Sequence, residues 1–386
     1  MQILFVNTTF GYVGGVEQHI ILACDGLRLR GYSCSIAYQC ASGRDASEFA
    51  SHFNASYSLQ SSTWKEVLDR DRPDCIYIHK WDSIQPILTA VGGKIPLIRM
   101  FHDHDIYCPR RHKYLSFSRK ICTYKAGLAC YLDLAFLERK QGKIAYAPIL
   151  PKLRELARNR TLDCVVVGSS YMRKELLRNG FSSNSIKVIP PSVQDYDKPP
   201  VPLADKGGIL YVGQLVRGKG VDTLLRALAL IRSTLTLTIV GAGNDEEFLH
   251  ALCDELGIDQ RVQFLGWVEH NRLGDLYDEA MMVVVPSRWP EPFGMVGLEA
   301  LLRQRPVIAS EVGGIPDWLE DGETGLLFPV NDEASLARAI DRLAEDTQLA
   351  SELGRRGREN VLERFSFDAF ITRLIDLIQE RITQCS

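Results

Sequence analysis

One stretch constrains this chain more than any other: VVVPSRWPEPFGMVGLEALLRQRPVIASEVGG, from Val283 to Gly314. Its β-branched opening, Val283–Val285, predicts a buried parallel strand. A proline-containing loop follows. From Phe293-Gly294 onward the apolar residues Met295, Val296, Leu298, Leu301 and Leu302 recur at helical spacing. Pro306–Ala309 reads as a second strand, closed by the pair Gly313-Gly314. A strand that enters a helix through a glycine turn gathers free backbone N–H groups and the positive end of a helix dipole at one point, which suits a phosphate. Glu291 in the loop and Glu299 on the helix flank that point. An ionised carboxylate is an acceptor, and sugars are rich in O–H donors. Phosphate and sugar together point to a nucleotide sugar. The same spacing also fits an ordinary βα unit with two solvated glutamates, so the stretch alone leaves both readings open.

The rest of the chain repeats the strand–helix rhythm. Ile3–Val6 is a strand, NTTFGYVGG a loop, Val16–Arg30 a helix stopped at Gly31, and Ser33–Tyr38 the next strand. Gly11, Gly14 and Gly15 do not form G-x-G-x-x-G, and no acidic residue ends the second strand, so the dinucleotide fingerprint is absent. Gly14-Gly15 still let a ligand approach the backbone closely. Cys75–His79 and Pro96–Phe101 are further strands, the second running into HDHDIYCPRRHKY. Helices are expected over Leu128–Lys140, interrupted by Asp133, over Leu153–Arg160 and over Tyr171–Asn179; Ile186–Ile189 reads as a strand. Prolines 190, 191, 199, 200 and 202 mark a linker, with the boundary near Lys198. Beyond it the rhythm restarts, with strands at Gly208–Val212, Leu235–Val240 and Arg261–Leu265. The expected class is therefore α/β: two Rossmann-like domains, residues 1–197 and 198–365, facing across a cleft. A C-terminal amphipathic helix, residues 366–386, is expected to pack back on the first domain.

Net charge is −3, but its distribution is uneven. Residues 99–187 carry 18 Lys and Arg against 7 Asp and Glu, while the remainder carries 27 against 41. A basic segment on an acidic chain fits an anionic membrane face or a lipid diphosphate; nucleic acid is not among the expected partners. MQILFVNTTF lacks the basic and long apolar regions of a signal peptide, and no apolar run approaches the ~20 residues of a membrane helix. The ten cysteines show no repeated C-x-x-C. The expectation is a cytoplasmic protein with reduced thiols, peripheral at the inner membrane face. His102, His104, His112, Cys108, Cys122 and Cys130 resemble ligand material, but their spacings match no zinc pattern, and no metal site is assigned.

Taken in order, YVGQLVRGKGVDTLLRAL, IVGAGND, FLGWV, PSRWPEPFGMVGLEA and VIASEVGGIPDWLEDGETGLLF resemble glycosyltransferase family 4, of GT-B fold. GGVEQHI, GSSYMRKELLRNGF and KVIPPSV extend the resemblance through nearly the whole chain, most weakly over residues 40–160. It implies a retaining, metal-independent transferase that uses a nucleoside-diphosphate sugar as co-substrate, with no other cofactor. The donor would lie mainly on the second domain and a glycan or lipid-linked acceptor on the first.

Position by position, Glu291 would meet the transferred sugar and Glu299 the ribose. The N–H groups around Phe293, Gly294, Met295 and Val296 would meet the diphosphate, which Lys219 would neutralise. Gly241 belongs to the donor loops, and the Val268 backbone would meet the base. Gly15 would approach the donor phosphates, and His102 would lie near sugar and acceptor. Where the family often carries arginine, this chain has Gln214; Arg217, three residues later, is the candidate replacement, since glutamine cannot grip phosphate as a guanidinium does. The alternative readings are a nucleotide-sugar epimerase and a non-catalytic nucleotide-sugar-binding protein on the same fold.

Overall fold

A computed structural model of the chain describes residues 1–115, 120–140, 143–193, 199–203 and 207–385. The expected boundary at Lys198 lies outside the described residues. The chain divides into two compact units. One comprises Met1–Ser118, Cys122–Ser192 and Phe367–Ser386; the other comprises Arg119–Ile121 and Val193–Ser366.

The first unit is built on strands β1 (Gln2–Thr9), β2 (Ser33–Cys40), β3 (Ala55–Ser58), β4 (Cys75–Ile78) and β5 (Leu97–Phe101). A hairpin follows, β6 (Leu137–Lys140) with β7 (Lys143–Tyr146), and then β8 (Val165–Val167) and β9 (Ile186–Val188). Seven of these form one sheet in the order β3-β2-β1-β4-β5-β8-β9, parallel throughout. The central strands are apolar on both faces, as a sheet covered by helices on both sides requires. Helix Phe367–Cys385 closes one face, placing Phe370, Ile371, Leu374 and Ile378 in the core with Ile3, Phe5, Ile20 and Leu27. Gly26 makes that approach possible: a Cβ there would stand 2.2 Å from the Ile371 side chain.

The second unit uses β10 (Gly208–Val212), β11 (Leu237–Val240), β12 (Val262–Gly266), β13 (Ala280–Val285), β14 (Val307–Ser310) and β15 (Leu326–Phe328). They are parallel, in the order β12-β11-β10-β13-β14-β15. The strand β13 is buried along its whole length. Two buried arginines hold the linker to this unit. Arg303 pairs with Asp278 and donates to the Pro199 carbonyl at 3.0 Å, while Arg305 donates to the carbonyls of Ala280, Val201 and Pro202. Buried guanidinium groups need such partners, because an unpaired buried charge is costly.

The expected helix over Leu128–Lys140 is corrected. Only Leu128–Leu132 is helical, and Leu137–Lys140 is a strand of the hairpin. Between them Leu134 takes a positive φ of 53°, a left-handed turn that ends the helix.

Candidate functional site

In open parallel α/β sheets, ligands bind at the carboxyl ends of the strands. In the second unit those ends carry most of the expected donor residues. The loop after β10 holds Gln214, exposed, and a single 3-10 turn, Arg217–Lys219. Lys219 Nζ lies 2.7 Å from Glu291 Oε1, on the loop after β13. Ser287 Oγ donates to the same oxygen at 2.5 Å. Glu291 is 6% exposed, so its carboxylate is held in a fixed position by a cation and a hydroxyl. Its backbone is fixed as well. Gly314 N–H donates to the Glu291 carbonyl at 2.8 Å, and Gly313 (φ +61°) packs so closely that a Cβ would stand 2.3 Å from that carbonyl oxygen.

Four residues later the helix Met295–Leu302 begins, with Gly294 at its N-cap (φ +94°) and no side chain capping it. Phe293 is anchored, its carbonyl accepting the Trp318 indole N–H at 2.6 Å. Gly294, Met295 and Val296 are half-buried, so the first residues of this uncapped helix remain partly open to solvent. Glu299, one turn into the helix, accepts from Tyr277 Oη at 3.0 Å. Gly241 after β11 packs backbone to backbone on Gly213, where a Cβ would stand 1.9 Å from the Gly213 carbonyl oxygen. Val268, after β12, is half-buried beside Trp267, which is 61% exposed. Burial, and next the Glu291 carboxylate, push the Tyr211 phenol up; its hydroxyl donates to the Gln214 carbonyl at 2.9 Å.

Arg217 is placed differently from Lys219. Its guanidinium lies 3.1 Å from Asp245 and 3.6 Å from Asp222, and 4.0 Å over the Phe248 ring. It is thus tied to the starts of helices Glu246–Leu256 and Val221–Leu230 rather than to Glu291. Gly218, between the two cations, lies against the Trp289 ring, where a Cβ would approach within 2.1 Å. Ser287, Tyr277, Trp289 and Asp245 were not singled out from sequence. Ser287 stands four residues before Glu291 in the same loop, a nearness that could have flagged it; nothing local flags the others.

The first unit has its own group of polar residues at strand ends. Gly14 caps helix Gly15–Leu29, its N–H donating to Glu17 at 2.9 Å, while buried Asn7 donates to the other Glu17 oxygen at 3.1 Å. A Cβ at Gly14 or Gly15 would meet only open space. His79 and His102 directly follow β4 and β5, with His79 Nδ1 and His102 Nε2 2.9 Å apart. His19 lies across from both, its ring centroid 5.0 Å from His102 and 5.8 Å from His79. Burial, then the neighbouring imidazoles, hold His79 and His102 well below the usual histidine range, and burial holds His19 at about 4. In the loops that follow the same strands, Lys80 bridges Asp103 and Asp105; burial works against its charge, but the two carboxylates raise its pKa. Cys108 is buried, and Cys122 and Cys130 are half-buried free thiols. Among the described residues no group of three or more His, Cys, Asp or Glu side chains is arranged to hold a metal ion.

Comparison with known proteins finds glycosyltransferases across both halves of the chain. The family described as Glycosyl transferases group 1 matches residues 193–360, and the one described as Glycosyltransferase Family 4 matches residues 13–195. An uncharacterized glycosyltransferase of Methanocaldococcus jannaschii is 36% identical over 167 residues, 42% of each chain. The lipopolysaccharide core biosynthesis glycosyltransferase LpsE of Rhizobium meliloti is 33% identical over 179 residues, 46% of this chain and 51% of its own. The chain thus spans about half or less of these curated relatives. Among solved structures, Anabaena HepE in complex with UDP superposes with a TM-score of 0.76 at 21% identity, covering 98% of this chain and 100% of that one. At that identity the likeness concerns the fold.

Proposed function

The chain belongs to the family 4 glycosyltransferases, of GT-B fold, and from that premise we propose that it transfers a sugar from a nucleoside-diphosphate donor to an acceptor hydroxyl with retention of configuration. The observation that carries this reading is the Lys219–Glu291–Ser287 cluster beside the uncapped start of helix Met295–Leu302. The departing diphosphate gains negative charge, and a cation together with free helix N–H groups stabilises charge that develops there. A diphosphate competes for the Lys219 ammonium, leaving Glu291 to accept from the sugar hydroxyls. Glu299 accepts from the ribose, the Val268 backbone meets the base, and Gly241 and Gly15 allow close approach of the donor. Arg217 contributes charge at longer range, since Asp245 and Asp222 already engage it.

Retention by double displacement needs a carboxylate nucleophile at the anomeric carbon. Glu291, held by Lys219 and Ser287, is assigned to the sugar hydroxyls. Same-face attack follows, with the departing diphosphate taking the acceptor's proton. No resident metal is assigned to this step, and transfer is expected to persist in EDTA.

The acceptor falls to the first unit, and a membrane-linked one is supported by its surface. Helix Leu128–Leu132 buries none of its residues, with Leu128 at 84% and Leu132 at 85% exposure, and Tyr146 lies nearby in sequence at 72%. Residues 109–160 carry 13 Lys and Arg against 3 Asp and Glu. Exposed leucines within so basic a segment suit an anionic bilayer face better than a second copy, which would set like charges together. No helix among the described residues is long and apolar enough to cross a membrane. In liposome sedimentation the protein should pellet with anionic and not neutral vesicles, and Leu128→Glu with Leu132→Glu should abolish it; equal pelleting with both would refute the docking.

A screen of UDP-, GDP-, ADP- and TDP-sugars for donor turnover tests the main proposal. One donor class should be consumed, and thermal melting should rise with the matching diphosphate, by about 2.7 kcal/mol of stabilisation at 100 times Kd. Absence of both binding and turnover with every donor would refute it.

A further inference from the structure

We propose that His79 is a positioning residue which fixes the tautomer of His102, so that His102 presents a neutral N–H from Nδ1 to its substrate instead of acting as a general base. The proposal rests on the reading of His102 as a group facing sugar and acceptor, and its tautomer is measurable without that reading.

His79 is locked before its ring chemistry is considered. Its backbone N–H donates to the Val6 carbonyl at 2.8 Å, extending the β1–β4 pairing by one residue. Its ring stacks on Phe5 at 5.8 Å with 6° between planes and touches Tyr77 at 4.4 Å. Only 2% of it is exposed. The 2.9 Å contact between His79 Nδ1 and His102 Nε2 needs one proton, because a neutral imidazole donates from one nitrogen and accepts at the other.

The buried His79 Nε2 decides which ring donates, since it has no hydrogen-bond partner among the described residues. Were His79 the acceptor, its proton would sit on Nε2 as a buried, unanswered N–H. With His79 as donor, Nε2 is only an unused lone pair. Buried orphan donors are the rarer of the two kinds in proteins. His79 therefore donates from Nδ1, His102 accepts at Nε2, and the proton of His102 is on Nδ1. His102 is half-buried, and no described residue hydrogen-bonds its Nδ1.

The surroundings keep both rings neutral. His19 faces them from helix Gly15–Leu29, and the Phe370 ring, from helix Phe367–Cys385, packs on His19 at 5.1 Å. Lys80, beside His79, adds positive charge, offset by Asp103 and Asp105. A protonated Nδ1 cannot take the acceptor's proton. It can donate to a hydroxyl oxygen of sugar or acceptor and hold it in line. The acceptor's proton then goes to an oxygen of the departing diphosphate, as the anomeric C–O bond to that diphosphate breaks and the new glycosidic bond forms.

Long-range 1H–15N NMR of full-length protein labelled at histidine tests this, with His79→Gln and His102→Gln spectra used for assignment. Both rings should show a protonated Nδ1 and a bare Nε2 between pH 6 and 8. A protonated Nε2 on His102 would overturn the proposal, whatever the activity. In turnover, His79→Leu should lower kcat roughly 10- to 100-fold with donor KM little changed. His79→Asn, whose amide N–H reaches the place of Nδ1, should recover most of it. Full kcat in a folded His79→Leu would also overturn the proposal. A His102→Gln variant with full activity would instead remove the role of His102 and leave the tautomer standing.

Discussion

Glu291 shows how one side chain is fixed from several directions at once. Lys219 and Ser287 hold its carboxylate, Gly314 holds its carbonyl, and Gly313 clears space for its backbone. Lys219→Ala should lower kcat by roughly 100- to 1,000-fold, the magnitude seen when one preorganised group facing a developing charge is lost. Full kcat and KM in that variant would break the diphosphate assignment. The same change strips a largely buried carboxylate of its cation, so melting temperature should fall too. Arg217→Ala, whose partners are Asp245 and Asp222, should cost less than Lys219→Ala, and steady-state kinetics of the pair checks the order. Gly313→Ala should reduce kcat/KM, because the added methyl displaces the Glu291 backbone. Glu291 and Lys219 were legible from their place in a strand–loop–helix pattern. Their 2.7 Å pairing was not, since the two residues are far apart in sequence and come together only when β10 lies beside β13.

At the scale of elements, periodicity worked where a segment had one buried face and misled where it had none. Phe367–Ile382 carries its apolar residues on one stripe, and it is a helix through Cys385. Leu374→Ala, at a fully buried position of that stripe, should cost about 2–5 kcal/mol in denaturant unfolding. A loss below ~1 kcal/mol would mean the helix is not part of the core. The segment from Leu128 to Lys140 has apolar residues too, but helix Leu128–Leu132 buries none of them, so no core selects a helical period. The left-handed turn at Leu134 divides it into helix and strand. The short elements Ala46–Ser51, Ala55–Ser58 and Trp64–Asp71 escaped the sequence reading because each offers too few residues for a pattern to stand out. Arg303 and Arg305, which no sequence pattern singled out, are buried. Their role became visible only once the chain from Pro199 to Pro202 lay over them.

For the molecule as a whole, the buried histidines tie stability to pH. Burial holds His19 and His112 at about 4, whereas an unfolded histidine titrates near 6.5. Below pH ~6.5 the unfolded chain binds protons that the folded one refuses, so the stability these groups contribute above that pH is lost as pH falls toward 4. Melting temperature should drop between pH 7.5 and 5, and less steeply in His19→Leu; a flat profile would contradict the neutral cluster. The sequence by itself determined the α/β class, the doubled strand–helix rhythm and the glycine turns at strand ends, because these follow from local period and backbone freedom. It also placed Glu291, Glu299 and Lys219 among the functional candidates. Only tertiary structure decided which cation meets Glu291, that Arg217 turns to Asp245, and that His79 and His102 share a proton. Those are contacts between the ends of different strands, set by strand order and register, and no local pattern encodes which strand becomes the neighbour of which.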